Sequence, residues 1–378
     1  MSCDPIDKTE NKRYDLAVIG SGPAGALAAY EAARAGLKVV LLEKRILPRP
    51  KPCGGLVSAR ALQALPKEII VPDTLGCPLK TITVHRGKKS YSCSFSKPPG
   101  MIVNRGLFDS YLARKACESG AQLLEGCPVE KIEPPSGVKD SFYLLRCKSR
   151  GKKPILIKTA SIIGAWGAHE PGKFALTPGR SKLNIRGWAL VSLEYRHDES
   201  ESGGGAEFYP LPLLGGMAWS FSTPDLVNRG VGGMAKISRL KKAYHKSFPD
   251  QRANNTIRAW PLPFAGPLKK AGFDNLLLIG DAAGLVDPFS GEGIHNAFLS
   301  ARLAVKAVIA SYKGFEAAGI IYNRSYNNIF RKEFGGAIML PLGMHFSFIT
   351  NPSSAPGHIA TIMAGSPDLK PFNNDAPV

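Results

Sequence analysis

An apolar, strand-forming run from Tyr14 to Ile19 feeds directly into Gly20-Ser21-Gly22-Pro23-Ala24-Gly25, a G-x-G-x-x-G turn. Helix-forming residues follow from Ala26 to Ala35, and Gly36 stops them. A second apolar strand, Lys38 to Leu42, ends at the acid Glu43. Strand, turn, helix, strand and acid in this order predict a βαβ unit that holds a dinucleotide. Gly20 permits the tight turn. Gly22 has no side chain, so a pyrophosphate can reach the backbone, and Gly25 lets the helix lie close to the strand. The free N–H groups of the helix N-terminus face the phosphates. Glu43 stands where a carboxylate accepts hydrogen bonds from a ribose.

A second motif lies far along the chain. Asn275 to Ile279 reads as a buried strand that ends in Gly280-Asp281, and small residues around Asp281 leave room for a ligand chain. Its carboxylate can accept a hydroxyl of a sugar-like linker. Pro288 to Gly293 then leads into a long helix, from about Gly293 to Tyr312, whose N-terminus carries partial positive charge. A reduced flavin is anionic on its pyrimidine edge, so that helix end suits it.

Between the two motifs the pattern changes. Arg45 to Leu56 is rich in proline and ends in Cys53-Gly54-Gly55, which excludes regular structure and invites close contact with something flat. Thr81 to His85 and Ser90 to Phe95 predict a hairpin, and Asn104 caps a helix that ends near Gly120. A second hairpin is expected from Ser141 to Thr159 about Ser149-Arg150-Gly151-Lys152, followed by a buried strand, Ala160 to Gly167, that enters a glycine turn. Short strands at Gly187 to Tyr195, Ala206 to Tyr209, Met217 to Phe221 and Asn228 to Gly232 predict an antiparallel sheet. Helices are expected over Ile237 to Lys246 and Glu316 to Phe334, with a frayed tail beyond Asn351.

The 378 residues suffice for two domains, and 44% hydrophobic content excludes a disordered chain. No apolar run reaches membrane-spanning length, and the polar segment Met1 to Arg13 lacks a signal-peptide core. The seven cysteines form no C-x-x-C pair, so reduced thiols, a cytoplasmic location and no metal site are expected. Lys and Arg outnumber Asp and Glu by 49 to 30, a net charge of +19. The bases are dispersed and lack interleaved aromatics, which argues against nucleic acid. A solvated basic surface and peripheral contact with an anionic membrane both remain open.

Taken together, the two motifs resemble those of the flavin-dependent family that includes aromatic hydroxylases, flavin-dependent halogenases and geranylgeranyl reductases, over roughly residues 14 to 312. Pro52-Cys53-Gly54-Gly55 resembles the P-C-G-G segment of the geranylgeranyl reductase branch, which implies that Cys53 lies near the flavin ring. Asn104-Arg105, with Phe108-Asp109, is similar to that branch's N-R-x-x-F-D pattern and implies Arg105 beside the cofactor. Trp260 to Pro267 resembles the segment that precedes the Gly-Asp motif. Three departures stand out. Trp166 replaces the aspartate of the hydroxylases' Asp-Gly motif. Of the polyprenyl reductases' P-x-x-Y-x-W-x-F-P motif only Trp219 and Phe221 remain. The halogenase W-x-W-x-I-P motif is absent.

The resemblance implies an α/β fold: a Rossmann-type FAD-binding domain with an inserted, mostly antiparallel β-sheet substrate domain, as in glutathione reductase-like hydroxylases. The expected division is 12–80, 101–180 and 266–312 for the FAD domain, 81–100 and 181–265 for the substrate domain, and 313–378 for a C-terminal segment. FAD contacts are expected from Gly20, Gly22, Pro23, Ala24, Gly25, Glu43, Lys44, Cys53, Gly54, Gly55, Arg105, Gly280, Asp281, Gly291, Gly293 and Ile294. Cys53, Trp219, Glu292 and His295 are the candidate catalytic residues. Each also has a plainer role: an inert thiol, a core aromatic, a helix-end charge and a packing histidine. The expected chemistry is hydride transfer from reduced FAD to a carbon–carbon double bond of a lipid-like substrate, with a proton from a nearby acid or water. A monooxygenase acting on an aromatic or lipid-like substrate and a non-catalytic flavin-binding partner are the alternatives. No second G-x-G-x-x-G is present, so NAD(P)H or a small redox protein would deliver electrons transiently.

Overall fold

The computed structural model describes residues 13–136, 141–149, 152–169, 187–195, 203–249, 256–264, 266–287, 291–314, 316–331, 353 and 355–364. Among them an eight-stranded sheet forms the base of the molecule. Off its main path Tyr143–Ser149 pairs with Lys152–Gly164 and with Val129–Glu133, while six of its strands follow the order Gly272–Phe273, Leu276–Leu278, Lys152–Gly164, Arg13–Ile19, Val39–Leu42 and Gln122–Leu124. The last five of these pair in parallel. Within them 16–19, 39–42 and 276–278 are fully buried runs of Val, Ile, Leu and Ala, as central parallel strands between helices must be. Helix Pro23–Arg34 packs on the sheet and against helices Arg105–Glu118 and Ile294–Lys313. The carboxyl ends of the parallel strands lead into Gly20, Glu43, Ala165 and Gly280, so the candidate ligand residues gather at one edge, where open α/β sheets bind ligands.

One expectation is corrected here. The hairpin strand and the buried strand after it are a single strand, Lys152–Gly164. Its first part pairs antiparallel with Tyr143–Ser149, and its second pairs parallel with Arg13–Ile19. Nothing in the sequence between Thr159 and Ser161 breaks the run, since β-compatible residues continue throughout. Of the expected turn, Arg150 and Gly151 lie outside the described residues.

A seven-stranded sheet has the order Arg258–Leu262, Gly187–Tyr195, Leu226–Gly233, Met217–Ser222, Gly205–Pro210, Thr81–Arg86 and Lys89–Ser94. Its pairings are antiparallel except for Gly205–Pro210 against Thr81–Arg86. Strand alternation splits its side chains. Leu190, Ala218 and Val231 meet Leu240, Tyr244 and Phe248, from helix Ile237–Ser247 and the residue after it, in a separate core. Neighbours of opposite parity, among them Ala189, Trp219, Phe221 and Gly232, face a cavity. A small antiparallel sheet of Leu56–Ser58, Gly100–Val103 and Gly76–Pro78 is absent from the sequence reading, because its strands have three or four residues and show no alternation. The fold is Rossmann-type α/β with an inserted, mostly antiparallel sheet.

Candidate active site

A cavity of about 660 Å³ opens between the carboxyl edge of the parallel sheet and the inner face of the seven-stranded sheet. Its floor at one end is the glycine turn. Gly20 has φ +105°, and a Cβ there would sit 2.4 Å from the Ala165 carbonyl oxygen. At Gly25 a Cβ would meet the Gly20 oxygen at 1.8 Å, so this glycine serves the contact of helix and strand. At Gly22 the nearest atom to an added Cβ is Arg49 Nη2 at 3.9 Å. The space above Gly22 is therefore a concave cradle at a helix N-terminus that carries Pro at its start and no acid in its first turn, the shape and polarity that a pyrophosphate needs.

Glu43 is buried at the end of the second strand. It accepts the Ser21 hydroxyl at 2.7 Å and the Arg45 backbone N–H at 3.0 Å, and it pairs with Arg49 Nε at 3.1 Å. Burial pushes its carboxyl upward, but Arg49 and Ser21 outweigh that and hold it below the ordinary range. Arg49, which the sequence reading passed over in a proline-rich loop, also reaches Asp109 at 3.4 Å. Asp109 is fully buried and accepts Arg105 Nε at 2.9 Å and Nη2 at 3.2 Å. Arg105 donates in turn to Cys53 Sγ at 3.1 Å. Burial works against the Arg105 charge, yet Asp109 and Cys53 hold its pKa well above the usual range.

The Cys53 loop is clamped from the other sheet. Asn228 Nδ2 donates to the Cys53 carbonyl at 2.6 Å, while Trp219 Nε1 donates to Asn228 Oδ1 at 3.1 Å. No sequence motif marked Asn228. A Cβ on Gly54 would come within 2.7 Å of the Phe221 ring, so the glycine is what lets these aromatics approach the loop. Trp219 and Phe221 stack at 6.2 Å. Both line the cavity, and Phe221 is also part of a core cluster, so the catalytic and packing readings meet at one place.

Gly280, Asp281, Gly291, Glu292, Gly293 and Ile294 form the opposite wall, with Pro23, Ala24, Lys44 and Gly55 along the floor. Pro288 to Ser290 lie outside the described residues. Glu292 is paired with Arg60 and accepts the Ser58 hydroxyl, so it ties the small sheet to the start of the long helix. His295 is not among the cavity-lining residues. Burial and the nearby Arg60 hold its imidazole below the ordinary value. Two features escaped the sequence reading: Lys51, whose ammonium lies 3.5 Å from the centroid of Trp260, and the helix Ala355–Ala364, which brings Ile359, Ile362 and Met363 to the cavity.

Residues 15–69 match the family model described as FAD dependent oxidoreductase. Digeranylgeranylglycerophospholipid reductase 3 of Methanosphaera stadtmanae is 29% identical over 371 residues, covering 89% of this chain and 85% of its own. The chain is similar to FAD-dependent oxidoreductases, with reductases of geranylgeranyl lipids among its relatives. Conditioned medium factor receptor 1 of Dictyostelium discoideum is 27% identical, over 88% of this chain and 70% of its own. Among solved structures, a geranylgeranyl bacteriochlorophyll reductase-like protein from Thermoplasma acidophilum superimposes with a TM-score of 0.74 at 20% identity, covering 93% of this chain and 92% of that one. The cradle above Gly22, the acid at Glu43 and the small residues around Asp281 fit FAD. FAD held there would supply the redox chemistry, and the cavity residues would orient it.

Proposed function

We propose that this protein uses reduced FAD to saturate carbon–carbon double bonds of an isoprenoid or similar lipid-like substrate. The observation that carries this reading is the apolar part of the cavity lining. Trp219 and Phe221 are joined there by Phe208, Met217, Ile359, Ile362 and Met363, several of which pack together in apolar clusters. An apolar lining of this kind suits an unsaturated chain. That several relatives are digeranylgeranylglycerophospholipid reductases supports the same class. In this reading 12–80, 101–180 and 266–312 hold the cofactor, while 81–100 and 181–265 read the substrate. Electrons come from NAD(P)H or a small redox protein that docks transiently.

Anaerobic photoreduction followed by mixing separates this chemistry from oxygen-dependent hydroxylation. We expect an unsaturated polyprenyl lipid to reoxidise the flavin without oxygen and to gain two hydrogens per bond reduced. Hydroxylation of an aromatic acid in air, with no anaerobic reaction on any alkene, overturns the reading in favour of a monooxygenase. Reoxidation in air that gives only peroxide favours a non-catalytic flavin-binding role.

Lipid-like substrates also give the positive charge a purpose, as contact with an anionic membrane. No helix among the described residues is long and apolar enough to cross a membrane. Helix Ile237–Ser247 buries Leu240 and Tyr244 and exposes Arg239, Lys241, Lys242 and Lys246. Binding to anionic vesicles is expected at low salt and should weaken as screening shortens to about 10 Å at 0.1 M. Each of Lys241→Glu and Lys242→Glu removes roughly 1 kcal/mol or more of attraction. Sedimentation with neutral and anionic vesicles checks this, and equal binding to both would refute it.

A further inference from the structure

The loop from Arg45 to Gly55 runs along the cavity wall and contains no helix or strand. Its ends are fixed by the Gly126 N–H on the Arg45 carbonyl and the Val103 N–H on the Gly55 carbonyl. Between them Pro48, Pro50 and Pro52 have no N–H to donate. Side chains of the seven-stranded sheet meet the loop there. The Lys51 ammonium lies over the Trp260 ring, Gly54 admits the Phe221 ring, and Asn228 Nδ2 donates to the Cys53 carbonyl at 2.6 Å. The last contact is directional, and Trp219 sets its direction. An indole N–H can donate and cannot accept, whereas a backbone carbonyl can accept and cannot donate. Asn228 stands between one of each. With Trp219 Nε1 on Oδ1 at 3.1 Å, Nδ2 faces the Cys53 carbonyl. A flipped amide would set N–H against N–H and oxygen against oxygen, at a residue only 4% exposed.

Two glycines let the indole reach this position. Trp219 lies directly opposite Gly230 on the neighbouring strand. A Cβ at Gly230 would come within 2.2 Å of Trp219 Cζ2, and one at Gly232 within 3.4 Å of Cζ3. Asn228 shares the face of these glycines, since alternate residues of a strand do, and it meets the nitrogen edge of the ring. We infer that Asn228 is a positioning residue of the site and that Trp219 acts through it: the indole N–H fixes the amide, and the amide fixes where the Cys53 loop lies in the cavity. Cys53 is then held from two sides, its carbonyl by Asn228 and its thiol by Arg105 Nη1 at 3.1 Å. Arg105 belongs to a helix beside the parallel sheet and Asn228 to the seven-stranded one, so this loop joins the two halves of the site. The relay consists of protein groups alone, and it is independent of the cofactor and substrate readings.

Alkylation of the full-length protein as purified, with iodoacetamide and peptide mapping, reads the loop at Cys53. Cys93 on Lys89–Ser94 and Cys117 on Arg105–Glu118, both half-buried like Cys53, serve as references within the same chain. Asn228→Leu keeps the bulk and removes both polar ends. The rate at Cys53 should then rise about 2–10-fold against the references, the worth of one net hydrogen bond. Trp219→Phe should also raise it selectively, because the amide is then free to turn. In the Asn228→Leu background Trp219→Phe should add nothing, since its route to the loop is gone. A ring that merely packs would raise the rate by the same factor in both backgrounds. Where either substitution fails to fold, Asn228→Ala or Trp219→Met, which also lack the polar groups, replaces it. No selective rise in Asn228→Leu, or equal factors for Trp219→Phe in both backgrounds, overturns the inference. The expected pattern in a protein that carries no FAD or reduces no alkene would uphold it and reject those readings instead.

Discussion

Gly22→Val gives a folded protein that has lost its yellow colour. The substitution adds volume where the structure has room for it in the absence of ligand, since the nearest atom to a Cβ is 3.9 Å away. The backbone at Gly22 has φ −68° and ψ −180°, a conformation open to valine, so the turn is not strained. The isopropyl group then fills the cradle above the helix N-terminus. FAD loses the charge-assisted hydrogen bonds of its pyrophosphate, each worth about 1.5–3 kcal/mol. Two such bonds make the loss roughly 100-fold or more in affinity. Gly25→Val supplies the contrast. There a Cβ would lie 1.8 Å from the Gly20 oxygen, so the protein should fail to fold at all. FAD released per chain and the urea midpoint together check both. A Gly22→Val protein with a full complement of FAD would place the cofactor elsewhere.

The second large effect is expected at Asp109. Its carboxylate is fully buried and serves two guanidiniums, those of Arg105 and Arg49. Asp109→Ala leaves both without their shared counter-charge in a site that water enters poorly. Breaking a buried pair in this way costs about 3–5 kcal/mol. Arg49 still has Glu43 and Arg105 still has Cys53, which argues for the lower end. Asp109→Asn keeps the shape and part of the hydrogen bonding, so it should be milder than alanine. Equilibrium unfolding of the two variants beside the native protein measures this. A change within about 0.5 kcal/mol for Asp109→Ala, the scale of an ordinary surface substitution, would mean that Arg105 and Arg49 are held by other groups.

The glycine-turn end of the cavity was legible in the sequence because its requirements are local. Gly20, Gly22 and Gly25 must follow a strand and precede a helix, and Glu43 must end the next strand. Asp281 was legible for the same reason. The substrate end was less so. Trp219 was marked by its motif, but Asn228, which joins it to Cys53, is linked to that loop across 175 residues of sequence and carries no periodic signal. Lys51 reads as one base among many in a proline-rich loop, and only the fold brings it to Trp260 from a separate strand. Ile359, Ile362 and Met363 belong to a stretch whose composition suggested a tail, yet their helix packs beside Thr81–Arg86 and Lys89–Ser94 and brings them to the cavity. Glu292 was marked for chemistry on the strength of its neighbours. Its pairing with Arg60 became visible only once Ser58 and Arg60 had been carried to it.

The unbroken strand Lys152–Gly164 also sets the order in which the cradle can be completed. Its hairpin with Tyr143–Ser149 closes over a few residues, so it forms with little loss of chain entropy. The same strand meets Arg13–Ile19 through pairs such as Arg13 with Lys158, a separation of 145 residues. A chain emerging from the ribosome therefore has the glycine turn, and one neighbouring strand for it, long before the second neighbour exists. The Ala165 carbonyl that limits Gly20 arrives only with the end of that later strand. The segment with the most recognisable sequence is thus made well before it is enclosed, and its apolar strand has one open flank until the hairpin has been synthesised.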